Sequence, residues 1–263
     1  AVAYNNRGIA HAELNQYEQA IEDFSKAIKL NPDYVEAYYN RGVAYADLNE
    51  YERAIEDYSK AIELNPNDAK AYYNRGVTYA KLNKYERAIK DYNKAIDLNP
   101  DFAVAYYNRG LAYAELNEYE RAIKDYNKAI ELNPNYAEAY NNRGVAYAKL
   151  NKHKRAIEDY DKAIELNPNY AEAYNNRGVA YADLNEYERA IEDYNKAIEL
   201  NPDFAVAYYN RGVAYADLNE YERAIKDYDK AIDLNPDFAV AYNNRGIAHA
   251  ELNQYEQAIE DFS

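Results

Sequence analysis

The residues best placed to do chemistry here are amides. Asparagine stands at Asn6, Asn40, Asn74, Asn108, Asn142, Asn176, Asn210 and Asn244, each 34 residues after the last. A primary amide offers donors and an acceptor together, so a row of them can grip the backbone of an extended peptide. Asparagine is also a mediocre residue in a helix interior, which makes its fixed recurrence worth explaining. Two readings stand: a binding ladder, or amides that satisfy backbone and neighbouring groups between repeated units and were copied as the unit duplicated. The column just before it alternates as Asn5, Tyr39, Tyr73, Tyr107, Asn141, Asn175, Tyr209 and Asn243.

Other chemistry is thinly represented. The chain has no Cys, so disulfides, thiolate metal sites and cysteine nucleophiles are excluded. Three serines (Ser25, Ser59, Ser263), Thr78 and three histidines (His11, His153, His249) supply no nucleophile–base pair, and each histidine occupies a column otherwise filled by tyrosine, where it packs. No glycine-rich loop is available to cradle a phosphate. The composition therefore points to no enzyme, no cofactor and no metal. The net charge of −15 has the wrong sign for binding nucleic acid or an anionic membrane, and favours a basic or neutral protein partner. No apolar run approaches the roughly 20 residues of a membrane span, and no signal segment opens the chain, so a cytoplasmic location is the default. The absent initial Met suggests an excised fragment.

The elements that position these groups follow from the repeat. All glycines (Gly8, Gly42, Gly76, Gly110, Gly144, Gly178, Gly212, Gly246) and all prolines (Pro32, Pro66, Pro100, Pro134, Pro168, Pro202, Pro236) step by 34. This predicts a single array over 1–263, with units 1–34, 35–68, 69–102, 103–136, 137–170, 171–204 and 205–238 and a partial unit 239–263. In each second half, apolar residues such as Tyr17, Ala20, Ile21, Phe24, Ala27 and Ile28 trace one stripe of a helix. Asn15 with Glu18 three residues later matches a capping box, broken only where Lys154 replaces the glutamate. Glu22 with Lys26, and Glu56 with Lys60, predict supporting pairs on the outer face. The first half is also helical in period despite an interior glycine, which costs about 1 kcal/mol relative to alanine. Close crossing of the two helices, with Gly8 set against the small Ala20 and Ala27, explains why the side chain is missing. Asn31-Pro32 ends each unit and suits the start of the next helix.

Tyr4, Gly8, His11, Ala20, Phe24, Ala27 and Pro32, recurring along the whole chain, resemble the tetratricopeptide repeat signature. The resemblance implies an all-α fold, an α-solenoid in which antiparallel helix pairs wind into a right-handed superhelix with first helices lining the concave face. One departure is uniform: Arg7 and its equivalents stand where the family usually has leucine. An aspartate column from Asp23 to Asp261 accompanies them, and a repeated structural ion pair is the expected use. The asparagine column is similar to the ladder in the repeat array of O-GlcNAc transferase. By family geometry Tyr39, Tyr73, Tyr107 and Tyr209 also face the groove. The carboxylate clamp of heat-shock co-chaperones carries over poorly, because its cationic positions hold residues such as Tyr39 and Val43. Lys70 and Lys81, flanking Tyr73 and Asn74, form the one basic cluster; elsewhere the same two columns give Glu36, Asp47, Glu115, Glu138, Glu172, Asp183, Asp217 and Glu251, with Lys149 the only other cation, so the groove is mostly acidic.

These features predict a non-catalytic protein-interaction scaffold that takes a partner peptide in its groove. One alternative is a natural or engineered array that stacks end to end. Another is the repeat segment of a larger enzyme or signalling protein. Stacking is suggested by residues 239–263, which repeat residues 1–25 letter for letter, a shift of seven units of 34. That identity predicts either a seven-unit superperiod or ends that continue one another.

Overall fold

The computed structural model describes residues 1–263 as helices joined by short turns, without a strand. Two compact units divide the chain at Pro134 and Asn135. The first holds α1 (Val2–Glu13), α2 (Tyr17–Leu30), α3 (Val35–Asp47), α4 (Tyr51–Leu64), α5 (Ala69–Lys81), α6 (Tyr85–Leu98), α7 (Ala103–Glu115) and α8 (Tyr119–Leu132). The second holds α9 (Ala137–Lys149), α10 (His153–Leu166), α11 (Ala171–Ala182), α12 (Tyr187–Leu200), α13 (Ala205–Asp217), α14 (Tyr221–Leu234), α15 (Ala239–Glu251) and α16 (Tyr255–Asp261). Within each, successive helices pack as hairpins, and each hairpin packs on the next.

The glycines sit where hairpins close, but the neighbour they make room for is an aromatic ring rather than the alanines. A Cβ on Gly178 would lie 2.6 Å from Cε1 of Tyr194, and Tyr194 is 2% exposed, so the ring cannot yield. Such overpacking costs typically about 1–3 kcal/mol, more than the helix propensity lost by keeping glycine. The alanines serve beside this contact: Ala190 and Ala197 are fully buried.

Both turns differ from the sequence expectation. Asn15, Asn49, Asn83, Asn117, Asn151, Asn185, Asn219 and Asn253 all have positive φ, between 55 and 60°. In each, the asparagine N–H donates to the carbonyl three residues before it, and the next N–H donates to the carbonyl five residues before itself. For example, Asn185 N donates to Ala182 O at 2.8 Å and Glu186 N to Tyr181 O at 2.9 Å. This is a Schellman stop of the first helix, not a capping box of the second. The second helices have no side-chain cap at all, as at Glu186 before α12. The asparagine side chain instead accepts from the tyrosine two residues on, Tyr187 Oη to Asn185 Oδ1 at 2.9 Å. Proline lies in the other turn, ahead of the next helix rather than at its first residue, since α3 begins at Val35. There Asn31 is extended, as the residue before proline should be, and its Oδ1 accepts from Asp33 N at 3.2 Å. Asp68, in a column otherwise aromatic, is a true side-chain N-cap, accepting from the N–H groups of Lys70 and Ala71.

On the outer face the Glu22–Lys26 pair forms at 3.8 Å, but Lys60 turns from Glu56 to Glu63, at 2.8 Å.

Candidate functional site

The site is built on the first helix of each hairpin, and an ion pair ties that helix to the second helix. Arg177 holds Asp193 in a two-pronged contact, Nε to Oδ2 at 2.8 Å and Nη2 to Oδ1 at 2.6 Å. The same fork joins Arg41 to Asp57, Arg75 to Asp91 and Arg211 to Asp227. Planar guanidinium matches carboxylate in this geometry, and the aspartates are nearly inaccessible, so the column is structural as expected. Burial raises Asp193, and the Arg177 hydrogen bonds oppose it. At the more open first hairpin the order reverses, and Arg7 holds the Asp23 carboxyl below its usual range. The third guanidinium nitrogen reaches back to the preceding hairpin: Arg41 Nη1 to Ser25 at 2.9 Å, Arg211 Nη1 to Asn195 at 2.6 Å, Arg177 Nη1 to Asp161 at 2.5 Å.

The asparagine ladder also runs between hairpins. Asn74 Nδ2 donates to Tyr39 Oη at 2.8 Å, Asn108 to Tyr73 Oη at 2.7 Å and Asn244 to Tyr209 Oη at 3.0 Å. Where the preceding column holds asparagine, the acceptor is its Oδ1: Asn40 to Asn5 at 3.2 Å, Asn176 to Asn141 at 3.1 Å, Asn210 to Asn175 at 3.0 Å. Asn142 accepts from Asn141 Nδ2 at 3.3 Å, and Asn6 is exposed. Each bond between hairpins thus spans 35 residues of sequence, so the alternation of tyrosine and asparagine is an alternation of acceptors. The tyrosines are half-buried as well, with Tyr39 stacked obliquely on Tyr58 and Tyr209 on Tyr228, both at 6.0 Å. Burial pushes the Tyr39 and Tyr73 hydroxyls up.

The amide is only partly spent by this bond, and a notch opens beside it between successive first helices. In the first unit Val77, Ala80, Lys81, Tyr92, Asn108 and Leu111 border a depression of about 370 Å³, with Tyr85 and Glu115 at its rim. In the second unit one of about 340 Å³ is lined by Val145, Ala148, Lys149, Tyr160, Asn176 and Asp183. Another, of about 180 Å³, is lined by Val213, Asp217, Tyr221, Tyr228, Asn244 and Ile247. Aliphatic walls, a tyrosine floor and one ladder amide recur in all three. Burial raises the carboxyls of Asp47 and Asp217, which have no cation at pairing distance. Lys81 belongs to a notch and shares it with Glu115, whereas Lys70 is exposed outside that notch. The two lysines therefore do not form one pocket, because they stand at opposite ends of the same helix, α5. No cluster of three His, Asp or Glu side chains is arranged to hold a metal.

Hairpins of two helices, repeated in register and stitched to their neighbours through first-helix amides, define a helical repeat scaffold of the kind that serves protein–protein interaction. The chain belongs to the tetratricopeptide repeat family. A family model of that description matches residues 35–68, 69–102, 137–170, 171–204 and 205–238. A second matches 91–124 and 227–260, and a TPR repeat model matches 8–48 and 110–151. The fold is similar to YrrB, described as a TPR protein with an unusual peptide-binding site, at 34% identity over 71% of this chain and 96% of that one, TM-score 0.58. It is similar to MamA at 31% identity over 63% and 96% of the two chains, TM-score 0.60. A tetratricopeptide repeat protein from Parabacteroides merdae shares the fold, at TM-score 0.72 and 22% identity over 94% and 97%. No curated protein matches the chain significantly. Folds of this family are typically non-enzymatic, and no helix is long and apolar enough to cross a membrane.

Proposed function

We propose that the chain is a non-catalytic scaffold that binds an extended peptide segment along its first helices, with the notches taking alternate side chains. The row of notches carries this reading, each presenting an aliphatic wall, a ladder amide and a charged residue at its lip. Asn74 and Asn108 each keep an Oδ1 that no protein group engages, free to accept from a peptide N–H, while their Nδ2 bonds hold the amide in place. A basic or neutral segment fits best: Asp217 stands exposed at the lip of its notch without a cationic partner, and a lysine or arginine of the ligand would supply one. The peptide-binding site named for YrrB agrees in kind with this reading. In fluorescence anisotropy, extended peptides alternating aliphatic and basic residues should bind, and Asp217→Lys with Asp47→Lys should weaken them about tenfold or more. Equal binding by the double variant would remove the groove from consideration.

A second reading, end-to-end association of copies, draws on the last hairpin. Tyr255, Ile259 and Phe262 are 56, 65 and 55% exposed, whereas Phe24, the equivalent of Phe262, is 1% exposed under the next hairpin. Sedimentation over a wide concentration range tests this: oligomers that grow with concentration support it, and a strictly monomeric species opposes it.

A further inference from the structure

The turn between α9 and α10, at the edge of the groove, breaks the repeat at three consecutive positions. The other complete second helices open Asn-Glu-Tyr-Glu-Arg, as at 185–189, or differ from it at one or two positions; here the run is Asn151, Lys152, His153, Lys154, Arg155. Two carboxylates have become ammonium groups in a chain of net charge −15. Elsewhere the arginine of this run is neutralised: Arg189 Nη1 pairs with Glu186 at 2.6 Å, and Arg53 and Arg223 pair likewise. Arg155 meets Lys152 instead. Its guanidinium lies 5.7 Å from the centre of the Tyr147 ring, against 3.9 Å for Arg189 over Tyr181, and it makes no ion pair. Neither Lys152 nor Lys154 has a carboxylate partner, and α10 alone among the second helices lacks an acidic residue in its first turn. Cations there oppose the helix dipole, so the substitutions destabilise the free protein.

Two further observations concern the space these cations border. Asn151, Lys152, His153, Lys154, Arg155 and Leu184 line a depression of about 620 Å³, larger than the notches of the groove. Without a tyrosine hydroxyl two residues on, the Asn151 amide has lost the partner its equivalents keep. The buried Nδ1 of His153 has no hydrogen-bond partner; Asp183 Oδ2, the one carboxylate oxygen near the cluster, lies 3.3 Å away without a hydrogen-bonding geometry.

We propose that Lys152, His153, Lys154 and Arg155 form a binding site for a multiply charged phosphoryl group. One carboxylate would balance one of these cations. A phosphoryl group, with close to two negative charges and three acceptor oxygens, balances at least two and takes hydrogen bonds from ammonium, guanidinium and amide together. The site meets the groove at Asp183, which lines the notch of about 340 Å³, but phosphoryl binding is read out without any peptide and its test does not depend on the groove's occupant.

The test is calorimetric titration of the full chain with pyrophosphate, inorganic phosphate and a glutamate-rich peptide at physiological salt. It is repeated on Lys152→Glu, His153→Tyr, Lys154→Glu combined. That variant restores the run found at 185–189 and 219–223, so folding is not in question. Lys84→Glu, which alters the only other second-helix opening with lysine at this position, serves as the charge control. We expect pyrophosphate to bind the natural chain, the triple variant to lose at least about tenfold in affinity, and Lys84→Glu to lose nothing. The proposal is overturned by no binding to the natural chain, by equal binding to the triple variant, by an equal loss with Lys84→Glu, or by tighter binding of the acidic peptide than of pyrophosphate.

Discussion

Arginine where the family has leucine carries the clearest consequence at the scale of a residue. Asp193 is 8% exposed at its side chain and pairs with Arg177 alone, whereas Arg177 also reaches the exposed Asp161, so the arginine is the buried carboxylate's source of charge compensation. Arg177→Leu leaves a buried carboxylate alone, and such a broken pair costs roughly 3–5 kcal/mol. Replacing both by leucine should recover most of that loss, because no buried charge then remains unpaired and Asp161, 53% exposed, is left to water. Urea denaturation of the single and double variants checks both outcomes; equal losses would mean the pair is not what holds this contact. The pairing was readable in the sequence, since Arg and Asp columns 16 residues apart recur in every unit. The ladder's partner was not. Asn176 and Asn141 are 35 residues apart, and no local periodicity says that a helix amide will reach across a hairpin boundary rather than into the groove. Lys70 and Lys81 misled for a related reason: they flank the ladder in sequence, but the length of α5 separates them.

At the scale of the element, the turn within each hairpin shows how one pattern can encode two structures. Asparagine followed three residues later by glutamate suits a capping box, yet asparagine is also the residue after glycine that best tolerates a left-handed backbone. The hydrogen bonds decide for the second. At Asn185, φ 60°, glycine should be tolerated within a few tenths of a kcal/mol after allowing for the lost Tyr187 contact, while alanine should cost about 1–2 kcal/mol. Thermal melts of Asn185→Gly and Asn185→Ala test this ordering, and an N-cap would also penalise glycine only slightly but would leave Glu188→Ala destabilising. In the Schellman turn Glu188 has no such role. The helix periods and the glycine contact were legible because each follows from residue size at fixed spacing. Only the identity of the ring opposite glycine escaped, since Phe24 and Tyr58 read equally well as simple core.

The whole molecule is a core of repeated tyrosines, and its response to alkali follows. Tyr58, Tyr92, Tyr126, Tyr160, Tyr194 and Tyr228 are all pushed upward by burial. Each keeps its proton in the folded chain and loses it near pH 10 when unfolded. Stability is therefore intact below about pH 10 and falls above it, by about 1.4 kcal/mol per pH unit for each tyrosine that unfolds together. Helicity followed by circular dichroism should collapse above pH 10 in step with tyrosinate absorbance, and the steepness counts how many hairpins melt as one. A helical signal flat to pH 12 or so would contradict the burial. The contacts between hairpins bear on a different property. Arginine's backward reach is met by Ser25, Asn195 or Asp161, three residue types sharing little but an oxygen acceptor. A hairpin thus asks almost nothing particular of the one before it. Genetic duplication, loss or exchange of a 34-residue segment leaves every junction chemically complete, so the length of such a chain is free to drift while its stitching is preserved.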